Sequence, residues 1–329
     1  MTPHGRDGVS PPALDALRAL DPLAWGLDLS GPMLLETWRA ALAGFVEPRD
    51  DVDLHGANVL LVGSANVYTA LLPWMVLLTQ AGARVRVKPA RGQEVAVQAM
   101  AGAVRGTGAD CVMQAWKGGI DLEAERAALA EADAVVAFGG SEALAALTRR
   151  SRAVLGFGPR FGISVLPPDP DADAVGAAVR DVALYDTRGC MSPAAVLSEG
   201  PPPMDLFATR MAEAQERWPI GAVSPMEAAG IRTRIMLTRA LGGEVRQGPG
   251  WVVLYSERFD PIALPRVLCV HPTSALPAVS AHVAHLGTVA GNAPEIPALR
   301  RCALGQMQTP RHDGVHEGID VLRWIADLR

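Results

Sequence analysis

The chain has 329 residues, 49% hydrophobic and 20% charged, with a net charge of −5 and a pI near 5.8. At roughly 100–200 residues per domain, that length implies about two domains with a cleft between them. The composition excludes a disordered chain, and the mild acidity argues against nucleic acid or an anionic membrane as a standing partner.

Residues 1–12 are polar, with Pro and Gly, and read as a frayed start. Helical spacing follows in ALDALRAL and MLLETWRAALAGF, closing an N-terminal segment over residues 1–54. From residue 58 strands and helices alternate. NVLLVGS is a strand, and TALLPWMVLLTQAG is a helix closed by Gly82. RVRVKP is a strand, EVAVQAMAGAVRGTG a helix and ADCVMQAW a strand. LEAERAALAEA is a helix, ADAVVAFGG a strand, and GSEALAALTRRSRA a helix. VLGFG and FGISV are further strands, the second running into a Pro-Asp loop at which the first α/β domain, 55–168, is expected to end. Strands separated by helices argue for a doubly wound parallel sheet.

A second α/β domain is expected over 169–300, followed by a C-terminal segment over 301–329. AVGAAVRDVALYD is helical, and TRGCMSP is a turn leading into a short helix or straight into the strand AAVLSEG. MDLFATRMAEAQERW and SPMEAAGIRTRIMLTRALG are helices, WVVLYSE and RVLCVHP strands of a second sheet, and VLRWIADLR a final helix.

The four cysteines, Cys111, Cys190, Cys269 and Cys302, are far apart and show no C-x-x-C pair or zinc spacing, which fits free thiols in a reducing compartment. No secretory leader and no run of 18 or so apolar residues is evident, so a cytoplasmic location without membrane insertion is expected. Cys190 follows a glycine in a polar turn, where backbone N–H groups or a helix N-terminus would favour its thiolate and Arg188 would add a positive charge. By pattern alone it is either an activated thiol or a small core hydrophobe. The C-terminal third holds His271, His282, His285, His312 and His316. HVAH would place His282 and His285 on one helical turn, but no third ligand has metal spacing, and no metal is expected. His312 or His316 would alternatively serve as a proton donor at an acyl site.

The ordered segments NVLLVGSANVYTALLP, RVRVKPARGQE, ADAVVAFGGSEALAAL, FGPRFGISVL and LYDTRGCMSPAAVLSEG resemble the aldehyde dehydrogenase superfamily. RGCMSP followed by an apolar strand, with WVVLY, RVLCV and GQMQTPRHDGVHEGIDVL later, is similar to its acyl-CoA reductase branch, the type found in bacterial luminescence. The likeness spans roughly residues 55–325 and implies an aldehyde dehydrogenase-like fold of two doubly wound α/β domains. The first would bind a nicotinamide cofactor and the second would carry the nucleophile.

The resemblance makes Cys190 the acyl-accepting nucleophile. Asn66 stands where the superfamily places an amide that, with the backbone N–H of Cys190, donates to the oxyanion, at ~3 kcal/mol per donor. Lys88, followed by Pro89, stands where a lysine reaches the adenosine ribose. Three residues on, Arg91 replaces the glutamate common in NAD-preferring members and could pair with a 2′-phosphate, so NADPH is expected, with NADH as the alternative. Gly139, Gly140 and Ser141, a strand-to-helix turn, would present N–H groups to the pyrophosphate. The hydrolytic members' water-activating glutamate has no counterpart in GPRFGISVL. These features together imply reduction of a fatty acyl-CoA to aldehyde through an acyl-cysteine, by a homo-oligomer. The alternatives are reduction of an acyl-phosphate, or a non-catalytic acyl-CoA-binding relative.

Overall fold

The computed structural model describes residues 12–46, 49, 51–151, 153–261 and 263–329. Of the frayed start expected over residues 1–12, residues 1–11 lie outside the described residues; Pro12 already belongs to the first helix.

Helices α1 (Pro12–Arg18) and α2 (Gly31–Ala43) come first. They are followed by β1 (Asn58–Val62), α3 (Leu72–Gln80), β2 (Arg84–Lys88), α4 (Glu94–Arg105), β3 (Cys111–Met113), α5 (Leu122–Glu131), β4 (Ala134–Phe138), α6 (Ser141–Thr148) and β5 (Val154–Phe157). The five strands form a parallel sheet in the order β3-β2-β1-β4-β5. The chain leaves β1 toward β2 on one side and returns to β4 on the other, so the topological switch point lies between β1 and β4.

Every residue of β4 is buried, because a central parallel strand is covered on both faces. On one face Leu60, Val135 and Ala137 pack with Ala128 and Leu129 of α5, and Leu144 and Leu147 of α6 lie against them. Full burial of a residue such as Leu60 contributes about 1.5–3 kcal/mol. Helix α3 begins at Leu72 rather than at Thr69, with Pro73 in its first turn, where a missing N–H costs nothing. ADCVMQAW, expected to be a longer strand, pairs only over Cys111–Met113.

Next come β6 (Phe161–Val165), α7 (Ala172–Ala183), β7 (Pro193–Ser198), α8 (Met204–Arg217), α9 (Pro225–Ala240), β8 (Glu244–Gly248), β9 (Trp251–Tyr255), β10 (Val267–Pro272), α10 (Leu276–Ser280), β11 (Leu286–Ala290) and β12 (Arg300–Cys302). Their sheet runs β12-β11-β6-β7-β10-β9-β8. It is parallel except at its edge, where β8 pairs antiparallel with β9. Pro249 and Gly250 join those two strands, and Gly250 has a φ of 77° that a side chain would oppose. Helix α9 begins with a capping box in which Ser224 and Glu227 satisfy each other's backbone N–H.

The chain ends in a hairpin, β13 (Val315–His316) with β14 (Ile319–Asp320), and helix α11 (Val321–Ala326). Two compact units result. One comprises the described residues of Met1–Leu27 with Ala41–Gly158 and Arg311–Arg329; the other comprises Asp28–Ala40 with Pro159–Pro310. The chain passes into the second unit after Gly158, ahead of residue 168, because β6 hydrogen-bonds to β7 and β11. The C-terminal hairpin belongs to the first unit, where Arg49 pairs with Asp320 at 2.8 Å. Among the described residues no helix is long and apolar enough to cross a membrane.

Candidate active site

In the second unit, α7 ends at Ala183, after which Tyr185, Asp186 and Thr187 take left-handed backbone with φ of 58°, 52° and 61°. For residues that carry a Cβ this costs about 1–2 kcal/mol each, so contacts must hold the turn. All three side chains are buried. Thr187 Oγ1 donates to the Val182 carbonyl at 3.0 Å. Asp186 Oδ1 accepts from Arg266 Nε at 2.6 Å, and neither side chain is exposed at all. Asp186 Oδ2 accepts from Gly221 N at 3.0 Å and from Arg188 Nη1 at 3.4 Å.

Gly189 and the half-buried Cys190 follow, and the chain passes directly into β7 at Pro193. The short helix that the sequence allowed after Cys190 is therefore absent, and with it the helix dipole as a source of thiolate stabilisation. Arg188, the expected cationic neighbour, directs its guanidinium to Glu227 Oε1 at 3.0 Å and the Ala222 carbonyl at 2.7 Å. Ser192 N closes the turn by donating to the Gly189 carbonyl at 3.0 Å.

The far side of this turn rests on the loop after β12. Gln308 Nε2 donates to Ser192 Oγ at 2.9 Å and to the Asp181 carbonyl at 3.3 Å. The Asp181 carboxylate, fully buried, accepts from Gly305 N at 2.7 Å and Met307 N at 2.9 Å. Burial pushes its pKa up to about 7, against the amide donors of Met307 and Gly305 and the charges of Arg180 and Arg300. Gly162 of β6 runs so close beneath that an added Cβ would sit 2.2 Å from Met307 Cε and 2.8 Å from the Met191 carbonyl. Sequence reasoning missed Asp181, Asp186, Arg266 and Gln308. Each partners a residue far along the chain, and no local spacing marks it.

In the first unit the expected cofactor residues lie at the carboxyl edge of the sheet. Lys88 ends β2 and pairs in register with Val62, which pairs in turn with Ala137 of β4, so Lys88 and the Gly139 turn are about 10 Å apart across two strand spacings. Lys88 is half-buried and its Nζ lies near Gly118 of the β3–α5 loop. Burial lowers its pKa, against the attraction of Glu125 and Glu94, with Arg91 adding to the fall. Pro89 is buried and Arg91 exposed. Gly140 caps α6 and Ser141 opens it, both exposed, with nothing within 4 Å of where a Gly140 Cβ would stand.

Asn66 is exposed in the loop after β1. That loop is tied to the next by Gln93 Nε2, which donates to the Ala65 carbonyl at 2.7 Å, a contact the sequence reading did not foresee.

His312 is buried; its Nε2 lies 3.0 Å from the Ala41 carbonyl and its ring 4.8 Å from that of Phe45. His316 packs its ring edge-on against Phe157, Phe138 and Trp74. His282 and His285 flank a 3-10 turn, and His282 lies against Phe259. Among the described residues no group of three or more His, Cys, Asp or Glu is placed to hold a metal ion.

The chain is similar to known proteins in sequence and in fold. The sequence profile described as Acyl-CoA reductase (LuxC) matches residues 112–325, well over half of the chain. A long-chain acyl-protein thioester reductase of Aliivibrio fischeri is 29% identical over 172 residues, covering 48% of this chain and 36% of that protein. The chain thus spans about a third of the length of that curated relative. An NAD-dependent benzaldehyde dehydrogenase from Corynebacterium glutamicum superposes with a TM-score of 0.66 over 92% of this chain and 84% of that one, at 14% identity. The delta-pyrroline-5-carboxylate dehydrogenase of Mycobacterium tuberculosis gives 0.64 over 96% and 76%, at 13% identity. These likenesses carry the aldehyde dehydrogenase fold, and the profile carries the family: the chain belongs to the acyl-CoA reductase (LuxC) family.

Proposed function

We propose that the protein reduces a fatty acyl thioester, acyl-CoA in the first instance, to the aldehyde with NADPH, through an acyl group held on Cys190. The observation that carries this reading is the braced turn at Cys190, a half-buried thiol between a strained segment and a buried strand, in a chain of this family. Cys111 and Cys269 are buried, and burial pushes their thiols up to about 12 and about 11 respectively. Burial likewise pushes Cys302 up to about 11, which leaves it a poor nucleophile at neutral pH.

The first unit fits a dinucleotide. The edge beside the switch point offers the Lys88 ammonium, the free N–H groups of the first turn of α6, and open space beside Gly140 where a Cβ would intrude. Lys88 would hold the ribose, Gly139, Gly140 and Ser141 the pyrophosphate, and Arg91 a 2′-phosphate. A dihydronicotinamide held there supplies the hydride.

The chain's own part is acyl transfer. Cys190 Sγ attacks the thioester carbonyl, the Asn66 amide and the Cys190 N–H stabilise the oxyanion, and the tetrahedral adduct expels the coenzyme A thiolate. After reduction the thiohemiacetal on Cys190 collapses, releasing aldehyde and returning the thiol. Strand β6, which pairs with β7, contributes Phe161, Gly162, Ile163, Ser164 and Val165 and no carboxylate, so no residue of that strand can activate water against the acyl-enzyme.

NADPH and NADH consumption over acyl-CoAs of several lengths, with aldehyde trapped and Cys190→Ala alongside, tests the reading. Turnover lost in the mutant supports it; absence of turnover by folded protein on every acyl-CoA counts against it. The name of the Aliivibrio relative favours a second substrate form, an acyl group in thioester linkage to a protein, which the same assay examines with an acylated protein as donor.

A further inference from the structure

We propose that the buried Asp186–Arg266 pair is a positioning device for the Cys190 thiol, holding the left-handed segment that aims the turn. The inference rests on the reading of Cys190 as nucleophile.

Stability alone does not account for the pair. A buried ion pair is a poor stabiliser, because desolvation cancels most of the attraction. This one is costlier than most. Arg266 itself sits in left-handed backbone at φ 52°, and its Nη1 is buried with no hydrogen-bond partner. On the other side, Asp186 is the middle of three strained residues. Backbone strain of this kind persists where surrounding structure over-determines it, and it concentrates at functional sites.

The connections lead to one place. Arg266 Nη2 donates to the Trp218 carbonyl, and Asp186 Oδ2 takes the Gly221 amide, so the α8–α9 loop is drawn against the strained segment. On its other side the loop packs against Asp28, which requires glycine at 221, since an added Cβ would stand 2.0 Å from the Asp28 carbonyl. From the same loop the Ala222 carbonyl, with Glu227 of α9, fixes Arg188. Arg188 N returns to the Tyr185 carbonyl at 3.0 Å, which brings the chain to Gly189 and Cys190. Between the pair and the nucleophile, Arg188 is held by Asp186 and by the loop Asp186 holds, while Thr187 is fixed by the Val182 carbonyl. A thiol displaced by about 1 Å loses rate on the order of 100-fold, so this rigidity bears on the acyl-transfer step.

The test exchanges both partners at once, Asp186→Leu with Arg266→Met, which removes charge and hydrogen bonds but keeps an apolar volume, a replacement that often preserves or raises stability. The expected result is an unchanged or higher melting temperature, with kcat lowered on the order of 100-fold and KM for acyl-CoA and NADPH little changed. Iodoacetamide alkylation of Cys190 at neutral pH, read on its own peptide by mass, should slow on the order of 10-fold. A folded double variant with parental kcat and parental alkylation rate would overturn the proposal.

Should the double variant not fold, Arg266→Lys decides the matter, since it keeps a cation beside Asp186 but removes the planar fork that joins Asp186 to the Trp218 carbonyl. A fall in kcat on the order of 10-fold at unchanged KM is expected there too, and parental behaviour again overturns the proposal. The two readings fail separately. Full turnover in Cys190→Ala would remove the nucleophile assignment, whereas the alkylation comparison tests the positioning role whether or not any substrate is turned over.

Discussion

Gln308 donates to the hydroxyl of Ser192 at 2.9 Å, tying the loop after β12 to the turn that carries Cys190. The two are 116 positions apart in sequence, and both are buried. Gln308→Leu would leave the Ser192 hydroxyl and the Asp181 carbonyl short of a donor, at a cost of about 1–3 kcal/mol. Urea unfolding should show that loss as a lower midpoint, and kcat should fall with it because the turn loses its far support.

Asp181 makes stability depend on pH. Its folded pKa of about 7 stands above the unfolded value of 3.8, so between those limits the folded state keeps a proton that the unfolded state has lost. The contribution is therefore fully present below the unfolded pKa and lost as pH rises through about 7, with a slope of up to about 1.4 kcal/mol per pH unit between them. Asp181→Asn should be less stable at low pH, having exchanged one acceptor for an amide donor. Its unfolding free energy should lack this fall, as urea titrations of both proteins at about pH 5 and about pH 8 would show. Equal slopes in the two proteins would refute the assignment.

Gly162→Ala places a methyl against Met307 and the backbone of the Cys190 turn. The Met307 side chain can shift, but the Met191 carbonyl at 2.8 Å cannot without moving the turn. A loss of about 1–3 kcal/mol is expected, with a fall in kcat larger than any change in KM. Calorimetry and steady-state kinetics check both.

Asn66→Ala removes the side-chain donor proposed for the oxyanion. Because Asn66 is exposed, the fold should be unaffected while kcat drops about 100- to 1,000-fold. An activity within a few-fold of the parent would leave Asn66 an ordinary loop residue.

Lys88→Ala should raise KM for the nicotinamide cofactor with little effect on acylation of Cys190. Arg91→Glu should turn preference from NADPH toward NADH by roughly tenfold or more, since it exchanges a partner of a 2′-phosphate for a charge that repels it. Parallel KM measurements with the two cofactors decide this, and an unmoved ratio would exclude Arg91 from the site.

Much of the framework was legible because its signals are local. NVLLV, RVRVK and ADAVVAF are strands whose burial follows from their own apolar pattern, and the helices between them carry their own spacing. Other elements had no such signal. EVRQG is an edge strand only because WVVLY lies beside it, LGTVA is a short run recruited by pairing with β6, and RRC is recruited in turn by LGTVA. The boundary at Gly158 followed the same logic: FGISV reads as one more strand of either sheet until hydrogen bonds assign it to the second.

Cys190, Lys88 and the Gly139–Ser141 turn stand out as candidates because a thiol after glycine, a lysine at a strand end and glycines before a helix are each visible within a few residues. The sequence by itself thus determined the alternation of strands and helices, the candidate nucleophile and the family to which the chain belongs. Only the tertiary structure decided how Cys190 is held. Its supports, Asp186 with Arg266 and Ser192 with Gln308, are pairs separated by 80 and 116 positions. Buried polar groups must find partners wherever folding brings a donor to an acceptor, and no local pattern encodes that meeting.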